Sequence, residues 1–268
     1  MTTTTVQDEE IRVYWKPGCS NCVRLKEYVS KRGFEFTPVN VAADPTGFEV
    51  LEKLGAKGLP VLTRGDRYVF GMDLAMVDEI LGIETERQAL TVAELVERAT
   101  SVAAKAVELG FQVPKERAED GLPGRPLRTY GGLANHIVGH LRRLVLVAEN
   151  PGKSWANVED YAQAGYQSGT EDIPEPNRTP EDVAERCRDL TARAKAWLAT
   201  GEDASRPVEI YYGTVPLSQI IESNAYSIVQ HTRQLQAVVT FLGYEPAAKL
   251  SETDLQNLNL PTALWDEV

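Results

Sequence analysis

The chain has 268 residues, 43% hydrophobic and 25% charged, and a net charge of −11 at neutral pH. That length predicts two domains with enough apolar material for two cores, and the acidic excess leaves no global field to attract nucleic acid or an anionic membrane. No apolar run reaches membrane-spanning length and the "MTTTTVQDEE" start has no basic, apolar leader, so the expectation is a cytoplasmic protein.

"IRVYW", from Ile11 to Trp15, alternates and is rich in strand formers. "CSNCVRLKEYVSKRG" sets Val23, Leu25, Tyr28 and Val29 at helical spacing and stops at Gly33. A second strand is predicted in "FEFTPVNV", a short helix in "GFEVLEKLG", a hairpin turning at Gly65-Asp66 in "LPVLTRGDRYVFG", and a closing helix in "DLAMVDEILGI". The order βαβαββα predicts a small α/β domain over 1–84, a central sheet with helices on its faces. Polar "ETERQALT" then predicts a linker over 85–90.

From 91 to 268 the pattern is helical. Four long amphipathic segments, "TVAELVERATSVAAKAVELG", "YGGLANHIVGHLRRLVLVAEN", "TPEDVAERCRDLTARAKAWLATG" and "VPLSQIIESNAYSIVQHTRQLQAVVTFLG", predict an all-α four-helix bundle. The third opens with Thr179-Pro180-Glu181-Asp182: a cap, a proline at the first position and acid at the positive helix end. The stretch from Ser154 to Pro176, with Trp155, Tyr161 and Tyr166, has the length of a lid or binding loop. The tail "SETDLQNLNLPTALWDEV" is expected to pack on the bundle through Leu258, Leu260 and Trp265.

Three cysteines are too few for a secreted disulfide scaffold, and two of them form Cys19-x-x-Cys22 after a Pro-Gly turn. Cys19 falls at a helix start, where free N–H groups and the macrodipole favour an anion and lower a thiol from about 8.5 toward roughly 3.5–7.5. Lys16 adds positive charge beside it. Cys22, one turn inward, is placed to resolve a mixed disulfide. A structural zinc site competes for this motif, but it needs four ligands, and no second Cys-x-x-Cys is present.

"VYWKPGCSNCVRLKEYV", followed by "GLPVL" and "VFGMD", resembles glutaredoxin, including its NrdH-type relatives within the thioredoxin fold. The resemblance covers about residues 10–83. It implies that Pro60 is a cis-proline facing the disulfide, that Leu59 offers its backbone to a bound thiol or substrate chain, and that Lys16 and Asp73 contact a glutathione-like thiol. Thiol and disulfide substrates and a thioredoxin-reductase-type electron donor come with it. Two departures, Ser20-Asn21 between the cysteines in place of Pro-Tyr and Gly58-Leu59 in place of Thr-Val, lie at the active-site surface.

All three histidines fall in the helical half. His136 and His140, at i and i+4, share a helix face, and His231 lies on the last long helix. Spacing leaves two readings open: a polar stripe with ordinary hydrogen bonds, or three imidazoles holding zinc, nickel or a similar divalent ion. "LANHIVGHLRRL" with "YGTVPLSQIIESNAYSIVQHTRQLQAVVTFLG" is similar to the DinB/YfiT-like bundle family over about residues 90–245. That resemblance implies a divalent metal on three histidines and use of a low-molecular-weight thiol such as bacillithiol, mycothiol or glutathione. In the family two of the histidines stand i, i+4 on the last helix; here Ser227 occupies the first position, so either the triad is rebuilt as His136, His140 and His231, or the metal site is degraded. Asn224 and Glu222 are substitute polar groups nearby in sequence.

Cys187 between arginines reads as a half-buried structural residue, Tyr211-Tyr212 as a turn with core aromatics, Arg142 and Arg143 as solvated charges, and Trp15 as sheet packing. "DGLPGRP" lacks the lysine of a phosphate loop. The expected function is a thiol–disulfide oxidoreductase joined to a metal-dependent, thiol-using bundle that acts on a small molecule. The rival is a redox- or metal-sensing protein whose bundle only binds. A third view makes the bundle a dimerisation or targeting module, with a homodimer as the assembly.

Overall fold

A computed structural model of the chain describes residues 9–84, 89–117, 120–122, 125–157, 160 and 179–265. It divides into two compact units, Met1–Gln88 with Pro261–Val268, and Ala89–Leu260.

The first unit is built on strands β1 (Ile11–Trp15), β2 (Thr37–Asn40), β3 (Val61–Arg64) and β4 (Arg67–Phe70), in sheet order β2-β1-β3-β4. β1 runs parallel to β2 and antiparallel to β3, and β3 pairs antiparallel with β4 across the Gly65-Asp66 turn. A parallel pair needs a crossover, and α1 (Ser20–Lys31) supplies it. Burial follows position in the sheet: central β3 is buried at all four residues, while edge strand β2 is exposed or half-buried throughout. β2 is shorter than the sequence pattern suggests: it begins at Thr37, and Phe34 and Phe36 pack on the core from outside the strand.

Each of the three helices of this unit starts where a side chain satisfies free N–H groups. Cys19 caps α1. Asp44 caps α2 (Pro45–Leu54), which has Pro45 in its first turn, and Asp73 caps α3 (Leu74–Leu81). Val13, Leu25, Val29, Leu62, Leu74 and Val77 form the centre of the core. Arg64, nearly buried, is compatible with this interior because it donates to the carbonyls of Ile80 and Leu81 at the end of α3.

The second unit holds α4 (Val92–Gln112), α5 (Tyr130–Glu149), α6 (Pro180–Ala199), α7 (Leu217–Phe241) and the short α8 (Glu252–Leu255). α4 and α5 pack on each other, and each packs on both α6 and α7, which gives the expected four-helix bundle. Thr91 with Glu94, and Thr179 with Asp182, form reciprocal capping boxes at the starts of α4 and α6. Among the described residues no helix is long and apolar enough to cross a membrane.

Two small hairpins were not anticipated: β5 (Gly121–Leu122) with β6 (Arg125–Thr129), and β7 (Pro207–Ile210) with β8 (Gly213–Pro216). Tyr211-Tyr212 is the two-residue turn of the second, with the rings edge to face at 4.8 Å. Trp155 is fully buried and extends this hairpin, its N–H donating to the Glu209 carbonyl at 2.8 Å. Residues 158–159 and 161–176 of the expected binding loop, Tyr161 and Tyr166 among them, lie outside the described residues, as does 85–88 of the linker.

The tail departs from expectation. Leu258 is buried in the helical unit as predicted, but the chain from Pro261 onward, Trp265 included, belongs to the first unit. An anion on α1 is one attachment: the Glu27 carboxylate accepts the backbone N–H groups of Thr262 at 2.7 Å and Ala263 at 2.8 Å. Lys31 bridges Glu27 at 2.9 Å and donates to the Thr262 hydroxyl.

Candidate functional site

In the first unit the Pro17-Gly18 turn leads from β1 to α1, and Gly18 takes a φ of 84°, a left-handed conformation that a glycine adopts without steric cost. The turn delivers Cys19 as the N-cap, its Sγ accepting the Cys22 N–H at 3.1 Å. Cys19 and Cys22 are joined as a disulfide. Cys22 is fully buried and Cys19 half-buried, so a reagent reaches Cys19 first.

The Leu59–Pro60 peptide is cis, and the Pro60 carbonyl accepts the Gly71 N–H at 2.9 Å. The antiparallel register that pairs Tyr14 with Val61 carries this peptide to the end of β1 from which the cysteine turn leaves. Cys19, Cys22 and Pro60 are thus gathered at one end of the two central strands. Lys16 is exposed. Asp73 is committed to its cap, accepting from Ala75 N at 2.8 Å and Met76 N at 3.2 Å. A cation that the sequence did not single out, Lys26, lies over the Trp15 ring at 3.8 Å.

A mixed four-stranded sheet, a dithiol at the N-terminus of its first long helix and a cis-proline beside it define a thioredoxin-fold dithiol protein. The comparisons narrow the class. The glutaredoxin family model matches residues 11–69. An uncharacterised glutaredoxin-like 8.6 kDa protein in the rubredoxin operon of Clostridium pasteurianum is 31% identical over 72 residues, covering 26% of this chain and 96% of that protein. The glutaredoxin-like protein NrdH of Salmonella typhimurium is 33% identical over 70 residues, 26% of this chain and 86% of its own. The gene 56 protein of Mycobacterium phage L5 is 30% identical over 77 residues, 28% and 75% respectively. No solved structure gives a significant match. Through its first unit the chain belongs to the glutaredoxin family, and that unit is a glutaredoxin-like redox domain.

In the second unit the three histidines converge. His136 Nε2 lies 3.3 Å from His231 Nε2 and 3.2 Å from His140 Nε2, so His136 and His140 from α5 meet His231 from α7. One nitrogen from each ring falls within 4.8 Å of the others. His231 is buried and the other two are half-buried, a more interior setting for His140 than the following arginines suggested. Two amides stand behind the rings: Asn224 Oδ1 is 3.1 Å from His140 Nδ1, and Gln234 Oε1 is 2.7 Å from His231 Nδ1. The His231–Gln234 spacing of three was legible as a shared helix face. Asn224 is one of the two substitute polar groups that the sequence pointed to, but its pairing with His140 spans 84 residues and has no local signal. Ser227 is buried with its hydroxyl on the Ser223 carbonyl at 2.9 Å, and Glu222 is half-buried.

Cys187 takes no part in a dithiol. It is buried on α6, and burial raises its thiol to about 11 despite a hydrogen bond to Thr191 and the nearby Arg188.

Proposed function

We propose that the first unit is a thiol–disulfide oxidoreductase acting on small thiols and disulfides, re-reduced by a thioredoxin-reductase-type donor. The accessible Cys19 thiolate attacks a substrate disulfide, forms a mixed disulfide and expels the first substrate thiolate. The buried Cys22 sulfur, as thiolate, then attacks Cys19 and releases the second thiolate. The dithiol gives up two electrons and ends as the Cys19–Cys22 disulfide, and the substrate ends as two thiols. The carrying observation is Cys19 as the cap of α1 with the Cys22 N–H on its sulfur, an arrangement that favours negative charge on that atom. Leu59 and Pro60 present backbone to the substrate, and Lys16 and Asp73 are the polar groups that the glutaredoxin likeness assigns to a glutathione-like thiol. Replacing Cys19 with Ser is expected to abolish reduction of a mixed glutathione–hydroxyethyl disulfide; undiminished turnover removes Cys19 from the reaction.

The proposal for the second unit is a DinB/YfiT-like bundle that uses a low-molecular-weight thiol on a small molecule. Support comes from the convergence of three imidazole nitrogens from two helices, a donor set and spacing that fit a divalent ion such as zinc or nickel with a position left open. His136, His140 and His231 would hold it, the triad rebuilt around Ser227. When bound, such an ion lowers the pKa of a thiol or water at its open position. Elemental analysis of the purified chain is the test: one divalent ion per chain, lost on replacing His231 with Ala, is expected, and ion-free native protein overturns the metal reading.

A further inference from the structure

We propose that Asn224 and Gln234 are positioning residues that hold His140 and His231 as Nδ1–H tautomers, so that both Nε2 lone pairs face the centre of the triad; the consequence for metal affinity rests on the reading above. The Asn224 amide is held at both of its ends. Asn224 Nδ2 donates to the Ile220 carbonyl one turn back on α7 at 2.8 Å, which leaves Oδ1 as the atom facing His140 Nδ1 at 3.1 Å. A carbonyl oxygen only accepts, so His140 must carry its proton on Nδ1. In the neutral ring Nε2 is then a bare acceptor, and it is the atom 3.2 Å from His136 Nε2. Gln234 repeats the device at 2.7 Å from His231 Nδ1, leaving His231 Nε2 directed at His136 Nε2 at 3.3 Å.

Both amides are inside the protein, Asn224 at 4% exposure and Gln234 at 1%. Burying an amide needs a partner, and an apolar side chain would pack there without that requirement. These amides put their oxygens on the histidines. An acceptor behind a ligating histidine fixes ring orientation and tautomer, and its loss lowers metal affinity about 10–100-fold. The two acceptors here are neutral. They orient the ring without adding a negative charge to the site, so a bound divalent ion would keep its full formal charge toward a fourth, anionic partner.

The first arm of the test needs no metal. Nitrogen-15 NMR of the histidine side chains in the metal-free full chain is expected to show Nδ1–H tautomers for His140 and His231, and Asn224→Leu is expected to release His140 alone. An Nε2–H tautomer at either ring of the native chain overturns the assignment for that ring, whatever the metal result. The second arm is competition titration with zinc(II) and with cobalt(II) alone. Asn224→Leu and Gln234→Met are each expected to weaken binding about 10–100-fold, and Asn224→Asp and Gln234→Glu, which keep an acceptor oxygen, to restore it with the cobalt absorption of the native chain. Native-like affinity in the apolar variants overturns the positioning role, as does failure of the acidic variants to rescue binding. A native chain with the stated tautomers and no affinity for either ion sinks the metal reading and leaves the tautomer assignment standing.

Discussion

Replacing Glu27 with Ala should undo the docking of the chain's last described residues on α1. The native carboxylate accepts two backbone N–H groups, from Thr262 and Ala263, and bridges Lys31. Burial by itself would raise this carboxyl, but the two amides and the Lys31 ammonium outweigh it and hold the group at about 2, against an ordinary 4.5. A drop from 4.5 to about 2 is worth at most roughly 3.4 kcal/mol at ~1.36 kcal/mol per tenfold. Some 23% of the side chain is open to solvent, and screening reduces this to about 1–2 kcal/mol. Hydrogen exchange in the full-length chain reads it directly: the Thr262 and Ala263 amides in Glu27→Ala should lose about 5–30-fold of their protection at pH 7. The sign follows from the depressed pKa. The stabilisation is complete above about 4.5 and disappears as pH falls through about 2, so normalised protection in the native chain should fall over that window while the variant shows no such step. Equal protection in the two proteins at pH 7 would show that the carboxylate does not hold the tail.

Two more expectations follow from single contacts. Gly71→Ala would set a Cβ 2.3 Å from Leu25 Cδ2 in the closed core behind the dithiol, and should cost about 1–3 kcal/mol in chemical denaturation; unchanged stability would show that Leu25 moves aside freely. Cys187, buried with its thiol raised to about 11, should resist alkylation in the reduced native chain at pH 7 and react only after unfolding, and Cys187→Ala should leave disulfide reduction intact. Rapid native alkylation at Cys187 would contradict its burial.

The parts that were legible in the sequence share one property: the signal and its cause lie within a few residues of each other. Cys19 caps α1 three residues before the N–H it accepts, Thr179 and Asp182 close a capping box over the same distance, and the β3–β4 hairpin turns at Gly65-Asp66 where its dipeptide announced it. His136 and His140 shared a face by spacing alone, and Gln234 stood three residues from His231. The parts that were hidden depend on partners far away. Trp155 joins β7 through Glu209, Asn224 reaches His140 across 84 residues, and Glu27 captures amides more than two hundred positions later in the chain. Leu258, Leu260 and Trp265 form an apolar pattern that fits the bundle, but pattern alone does not say which core receives it. Residues from Pro261 onward group with the first unit, where Glu27 on α1 accepts the Thr262 and Ala263 amides. β7 and β8 went unread because each is four residues long and bounded by proline at its outer end, too short for alternation to stand out from a loop.

The inner row of α7 separates what the bundle needs from what the histidine cluster needs. Asn224, Ser227, Gln230, His231, Thr232 and Gln234 are all buried, an unusual density of polar groups for a helix that packs on both α4 and α5. Each such group costs about 1–3 kcal/mol if left without a hydrogen bond, so their partners reveal their purpose. Ser227 and Thr232 return their hydroxyls to carbonyls four residues back, and Gln230 accepts from Arg233. Those contacts stay within α7, and apolar side chains of similar size in place of the two hydroxyls would remove donor and need together. Asn224 differs: its Nδ2 satisfies Ile220 within the helix while its Oδ1 serves a ring on another helix. Substituting an apolar residue there leaves His140 Nδ1 without this acceptor in a half-buried place. The amide at 224 therefore serves the His140 ring, not the packing of α7 on its neighbours, and the same logic holds for Gln234 behind His231.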